Sequence, residues 1–413
     1  MWAGPVPMSS GSPPSWRSSM RCSVAAAVLA ASSLLAAPLA AQKKERAYDP
    51  PRPRLPAGAD SNSGGEYFRA GMAVLAKNPG DAAAAFHWAA RLDPMFADAY
   101  YAERVALHLT DIRRLAGYIY GDRSVLRRKD VLQVDSLELE ALLRNPVLYP
   151  RLDRIMLESF VDAVNGQTTR VDWDQTDPGI AAWLALSEPN FPKAVALYAK
   201  AIKKDRKAYG YHLERAIAFY HSGQADSAIG SVEKYLEGRR AEEKDELVRV
   251  YQSKAMAEYT IGYIHEQAGR YDKAKEAYGR ALTEDLSFGM AHAALADIAR
   301  VQGDSATALS EFDLAIGVRP DDPTLRLRYG AALLQAGRPA DAATQLERAV
   351  AIEPLYAMPW LLLGQAAEKT GKRDRAVEAY RSFVRLAARG MTKELGMARD
   401  RLTALGAAGA GTE

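Results

Sequence analysis

Residues 255–288 read AMAEYTIGYIHEQAGRYDKAKEAYGRALTEDLSF, and the next 34 residues, 289–322, read GMAHAALADIARVQGDSATALSEFDLAIGVRPDD. Laid one over the other, they share small residues at Gly262 and Ala296, glycines at Gly269 and Gly303, and alanines at Ala274 and Ala308. Large apolar residues coincide at Tyr278 and Phe312. Gly330 and Gly364, Gly337 and Gly371, Ala342 and Ala376, and Leu346 and Tyr380 carry the same frames on to residue 390. Ile261, Leu295, Tyr329 and Leu363 hold a further frame, and Ala281, Ala315 and Ala349 another. A fixed period of this length marks a stacked architecture of small identical units.

Each frame has a physical task. Small residues at Gly262 and Ala274 let two antiparallel helices approach closely, and large neighbours such as Ile261 and Tyr278 fill the gaps to the next pair. Gly269 falls between the helices, where a left-handed backbone ends the first one. Pro320 and Pro354 stop the second helix, because proline cannot continue the hydrogen-bond ladder. One such pair cannot bury its own apolar face, so pairs stack.

These residues resemble the tetratricopeptide repeat family, in four units of unbroken register over residues 255–390. The likeness extends to 209–242, with Ala216, Gly223 and Ala228 in frame, followed by an Arg/Glu/Lys-rich insertion at 243–254 expected to lengthen a helix. A half-match lies at 178–206 (Ala194, Tyr198, Ala201). An isolated unit lies at 67–95 (Ala82, Phe86, Ala89, Pro94), with a turn at Asn78-Pro79-Gly80. The last unit departs from the pattern: Phe383 stands where a small residue recurs, and no proline follows. That suits an end unit covered by a cap, which residues 391–405 supply with Met391, Leu395, Leu402 and Leu405 on one face. The resemblance implies an all-α, right-handed superhelical solenoid of antiparallel helix pairs, with the array at 178–390. Residues 67–177 form an N-terminal helical region. Its part from 103 on does not fit the repeat and reads as diverged hairpins of the same stack, with a separate small domain as the alternative.

Ahead of this, Arg17 and Arg21 precede an Ala/Ser-rich apolar run at 22–41 that ends in Ala-Ala. These are the parts of a secretory signal, with cleavage expected after Ala40 or Ala41 and Met20 a candidate start. An uncleaved anchor is the alternative, but the run is poor in Leu and Ile for a membrane span. The expected location is periplasmic or secreted, with no integral membrane span after cleavage. Residues 42–66, with Pro50, Pro51, Pro53 and Pro56 and almost nothing apolar, are expected to be a disordered linker, and 406–413 a disordered tail.

Lys plus Arg is 54 against 51 Asp plus Glu, and removing the signal leaves 52 against 51. So balanced a chain gives no electrostatic reason for nucleic acid as a partner. The only cysteine, Cys22, would leave with the signal. The histidines, His87, His108, His212, His221, His265 and His292, show no metal-ligand spacing. Asp172, Asp174 and Asp177 fall short of a calcium loop, for want of the next ligand at Thr176 and of a distal glutamate in register. No phosphate-binding glycine loop or serine elbow is present. No cofactor, no metal and no enzyme activity are therefore expected. An unrecognised catalytic site within 103–177, or a small ligand in the groove, are the alternatives.

The resemblance places the first helix of each pair along a concave groove. Its exposed positions read Tyr259, Tyr263 and Glu266, then Ala293, Asp297 and Arg300, then Leu327, Ala331 and Leu334, then Leu361, Gln365 and Glu368. Arg328 and Lys369 flank them and Tyr220 extends them upstream. Tyrosine gives large contact area at low entropy cost, which suits a protein or peptide partner. The competing reading has Tyr259 and Tyr263 packing on the helix lengthened by 243–254. Positions where some relatives grip a carboxylate with lysines and asparagines hold Tyr259, Tyr263, Ala293, Asp297 and Arg328, of which only the arginine fits. The sequence leaves the partner's identity and the oligomeric state open.

Overall fold

The computed structural model describes residues 49–120, 128–165, 177–245 and 253–407. The expected signal at 1–41, the first residues of the linker, Asp172 and Asp174, and the last residues of the tail lie outside the described residues. Among the described residues there are nineteen α-helices and no strand.

Six helices precede the array: α1 (Gly64–Val74), α2 (Pro79–Leu92), α3 (Ala97–Leu109), α4 (Ile112–Tyr120), α5 (Arg128–Arg144) and α6 (Asp153–Asn165). The array begins with the hairpin of α7 (Pro178–Ser187) and α8 (Phe191–Lys204). It continues with α9 (Gly210–His221) and α10 (Ala225–Asp245), α11 (Lys254–Gln267) and α12 (Tyr271–Glu284), and α13 (Gly289–Val301) and α14 (Ser305–Val318). Then come α15 (Pro323–Gln335) with α16 (Pro339–Ile352), α17 (Ala357–Lys369) with α18 (Arg373–Leu386), and the single α19 (Thr392–Ala404). Each hairpin packs internally and against the next, which makes the chain an all-helical solenoid.

The frames do in space what their chemistry predicts. Gly262, Gly330 and Gly364 lie under Tyr278, Leu346 and Tyr380, each sixteen residues further on, and Gly71 lies under Phe86, fifteen further on. A Cβ on Gly364 would come 2.6 Å from a Tyr380 ring carbon and one on Gly330 2.7 Å from Leu346, so at these positions the large partner must shift if glycine is replaced. Between the helices Gly269, Gly303, Gly337 and Gly371 take φ of 71, 82, 71 and 71°. At the first of these, Arg270 N donates to His265 O and Gly269 N to Glu266 O, each at 2.9 Å, which satisfies carbonyls the helix end leaves open. Asn78, Asn190, Asp304 and Asp322 cap the helices that follow them through their side-chain oxygens.

Residues 49–63, for which a lack of apolar side chains predicts disorder, instead form a strap held by other forces. The Arg52 guanidinium lies 4.9 Å from the Trp88 ring and 5.4 Å from that of Tyr67, and its Nε donates to the Tyr67 hydroxyl at 2.8 Å. Trp88 donates to the Pro50 carbonyl at 2.9 Å. Ser63, within the expected linker, already caps α1. The far end of the strap reaches the opposite end of the chain: Asn62 donates to Arg385 O at 2.7 Å, and Asp60 accepts from Arg389 N at 2.6 Å.

Behind the strap, α3 packs on α2 and α5, and α6 touches α3, α4 and α7. α5 ends at Arg144, just before Asn145-Pro146, where proline cannot continue the helix. Tyr101 ties this region together, donating to Asp153 at 2.7 Å and accepting from Leu152 N at 2.9 Å. In the array α10 runs to Asp245, longer than the other second helices described, while residues 246–252 of the insertion lie outside the described residues. Leu395, Ala398 and Leu402 of α19 are buried against Tyr380 and Phe383.

Candidate partner-binding surface

The first helices of the hairpins, α9, α11, α13, α15 and α17, carry the residues read as groove-lining. Those residues fall into three environments.

At the amino-terminal ends of these helices the face is covered by the chain itself. Tyr259 is 5% exposed and shares a core with Leu143, Phe288 and Met290. Its hydroxyl donates to Leu143 O at 3.2 Å, a carbonyl in the last turn of α5 that the helix cannot satisfy. Burial pushes the phenol's pKa up. Val147, just beyond α5, sits in the core of Ile261 and Ala257, and His221 bonds its carbonyl at 2.8 Å. Tyr259 thus packs, but on the end of α5 and on Phe288.

At the far end, the capping helix meets the row. Gln365 Nε2 approaches Met397 Sδ at 3.8 Å. Glu368 accepts from the Tyr380 hydroxyl at 3.1 Å and pairs with Arg401. Lys369 is exposed beside them.

Between these ends lies a row open to solvent. Tyr220 and Tyr263 face one another with ring centroids 6.3 Å apart, both half-buried. Burial, and Tyr220 next to it, push the Tyr263 phenol up to about 12. Burial also raises the carboxyl of Glu266, against the opposing effect of the Tyr278 hydroxyl that donates to it at 2.5 Å. One hairpin on, Asp297 receives Arg328 Nε at 2.7 Å and Arg300 Nε at 3.2 Å, and Arg328 also donates to Ala293 O at 2.9 Å. Two guanidinium groups share the Asp297 carboxylate, and the Glu266 carboxyl lies within electrostatic reach of Arg328 and Asp297. Ala331 and Leu334, half-buried, continue it with apolar surface.

Sequence reasoning missed the polar seam that brings α5 to the array. Glu140 accepts from Arg319 Nη2 at 2.7 and 2.9 Å, and Arg91 pairs with Glu353 at 3.2 Å. It also missed Glu258, 2% exposed, which pairs with Arg240 of α10 at 3.0 Å and Arg280 of α12 at 2.8 Å and so stitches three helices. The one available signal was a glutamate standing among alanines on a first helix.

Beside the seam, burial would raise the Asp322 carboxyl, but Arg319 and Arg144 and the amide of Leu325 hold it below the ordinary carboxylate value. A carboxylate with a depressed folded pKa contributes stability above its unfolded pKa and loses it as pH falls through the folded one. Asp322→Asn keeps the capping oxygen and removes the charge. It is expected to cost about 1.5–3 kcal/mol at neutral pH, the scale of hydrogen bonds to charged groups. In urea denaturation the gap to the parent should close as pH drops below the ordinary carboxylate range. A gap independent of pH would show that the charge is not what matters.

The described residues hold no cluster of three potential metal ligands, and none of their helices is long and apolar enough to cross a membrane. His87 lies 3.1 Å from Glu103 and 3.9 Å from Asp49, and His292 lies 2.7 Å from Glu311.

Comparison with known proteins places this geometry. A tetratricopeptide repeat profile matches residues 181–243, 259–323 and 327–390. The chain therefore carries tetratricopeptide repeats, and proteins built from them bind protein or peptide partners. No curated protein matches the chain. Among solved structures, the C-terminal part of a TPR repeat-containing protein from Cytophaga hutchinsonii is 18% identical, covering 55% of this chain and 86% of that one, with a TM-score of 0.45. PilF of Pseudomonas aeruginosa is 16% identical over 54% and 96%, with a TM-score of 0.42. YrrB, described as a TPR protein with an unusual peptide-binding site, is 18% identical over 49% and 97%, with a TM-score of 0.39. These likenesses add nothing to what the profile match shows.

Proposed function

We propose that this array of tetratricopeptide repeats docks a segment of another protein on the inner face of its hairpins, as a scaffold or adaptor of a bacterial-type cell envelope. The observation that carries the reading is the open row of Tyr220, Tyr263, Arg300 and Arg328, with Ala331 and Leu334 beyond it. It offers aromatic, cationic and apolar surface in sequence along first helices, and no group in it is arranged for bond-making chemistry. An extended or helical segment with an acidic residue between apolar ones would match that order. The Tyr pair gives contact area, and the arginines, already oriented by Asp297, give register. The envelope assignment rests on the basic flank and Ala-rich run of residues 17–41.

The test is a crosslinking pull-down from envelope extracts, run side by side with the parent chain and with Tyr263→Ala and Arg300→Glu. A central aromatic anchor is worth about 2 kcal/mol or more, so Tyr263→Ala should weaken the captured interaction about 30-fold. The processed amino terminus in the same preparation should be Ala41 or Gln42. Equal capture by parent and both variants would remove the row from consideration as the docking surface.

A further inference from the structure

Among the described residues, none of the six helices before the array packs along its length on a hairpin from α8 onward. They meet at loops and helix ends. The central contact is the end of α5: Glu140 on Arg319, the Leu143 side chain beside Tyr259, and two main-chain carbonyls, those of Leu143 and Val147, bonded by Tyr259 and His221. The pair of Arg91 with Glu353 and the strap's bonds to Arg385 and Arg389 add to it, and contacts made at helix ends and loops are where motion of one part of a chain against another is expected.

We propose that residues 139–149 are a built-in occupant of the array's inner face, held by a clasp that opens to admit a partner segment of the same chemistry. Two of the clasp's hydrogen bonds go to main-chain carbonyls, which any chain supplies. The side chains that meet the array are the acid at Glu140, the apolar residues Leu139, Leu143 and Val147, and Tyr149, whose ring centroid lies 5.4 Å from that of Phe191 and 5.0 Å from that of His221. A competing partner therefore presents an acidic residue between apolar ones near the end of a helix, followed by a turn that carries an apolar and an aromatic side chain. When the clasp is closed, that partner reaches only the open row from Tyr220 to Leu334. When it is open, the floor at Tyr259 becomes available as well. This rests on the reading of the inner face as the docking surface, and it adds the regulation of that face.

The experiment uses the full chain on a Cys22→Ser background, with spin labels at Lys77→Cys and Lys372→Cys, both exposed and on opposite sides of the seam. The closed form should give one distance population by pulsed electron resonance. Glu140→Arg sets a cation against Arg319 and Arg144 and should add a longer-distance population. Combining it with Arg319→Glu should restore the single one. Leu143→Ala, which brings in no charge, should also lengthen the distribution and serves if Glu140→Arg does not fold. A fluorescent peptide of residues 137–151 should bind Glu140→Arg at least tenfold tighter than the parent, because that variant keeps Arg319 and frees its site. Unchanged distances in both variants would overturn the clasp. Opening without peptide binding would overturn the inner face as the docking surface and leave the clasp standing.

Discussion

Tyr278→Ala should lower the stability of the array by about 3–5 kcal/mol, the range for deleting a buried aromatic ring. The side chain is fully buried. Its ring lies over Gly262 and packs against the Tyr259 ring, with centroids 5.4 Å apart. Glycine beneath the ring means that no neighbouring side chain can fall into the space, so the cavity stays open and its cost is near the upper end. Tyr278→Phe separates packing from polarity. It keeps the ring and removes only the hydroxyl that donates to Glu266, and should cost about 1–2 kcal/mol. Denaturant midpoints for the two variants decide the matter. A Tyr278→Ala loss no larger than that of Tyr278→Phe would mean that the ring is not what holds α11 to α12. Because Tyr259 leans on Tyr278 and covers Leu143 O, the larger change should also loosen α5, seen as faster amide exchange near residue 143.

The difference between what could and could not be read from the chain has a physical basis. Gly262 and Tyr278 are sixteen residues apart, as are Gly364 and Tyr380, so the contact repeats at a fixed short spacing and leaves a periodic trace. The left-handed turns at Gly269 and Gly303 are equally local, set by one residue's freedom at positive φ. The seam leaves no such trace. Asn62 and Arg385 are 323 positions apart, and Glu140 and Arg319 are 179 apart. Nothing in the neighbourhood of either residue announces the other. The strap misled for a related reason. Its prolines and scarcity of apolar side chains predict disorder, yet Arg52 near the Trp88 ring, Leu55 packed beside Tyr67 and the bonds of Asp60 and Gly58 to Arg389 hold it. Among the groove positions, Tyr259 was predicted to be solvent-facing by its place on a first helix. It is buried because α5, whose irregular pattern gives no register with the array, ends on it.

Phe383→Ala should cost about as much locally, again about 3–5 kcal/mol by the ring it removes, and yet act differently. Phe383 stands in the frame of Ala281, Ala315 and Ala349, where a small residue elsewhere leaves room for the next hairpin. Among the described residues one helix follows, α19, with Ala398 in the frame of Gly364. The phenylalanine fills the space, fully buried with Leu395 and Leu402 around it. In a stacked array each unit touches only its neighbours, so damage at an end is contained where damage in the middle is not. Amide exchange should therefore show α18 and α19 losing protection in Phe383→Ala while α11 to α16 keep theirs. Tyr278→Ala should instead lower protection on both sides of the lesion. The strap offers the one route by which the end could reach further, since Asp60 and Asn62 bind the backbone at Arg389 and Arg385 just after α18 begins to end. If Phe383→Ala also releases residues 49–63, the strap depends on the end unit for its anchor. A uniform loss of protection along the whole chain would show that the seam makes the molecule fold as one cooperative body, and would sink the nearest-neighbour account of its stability.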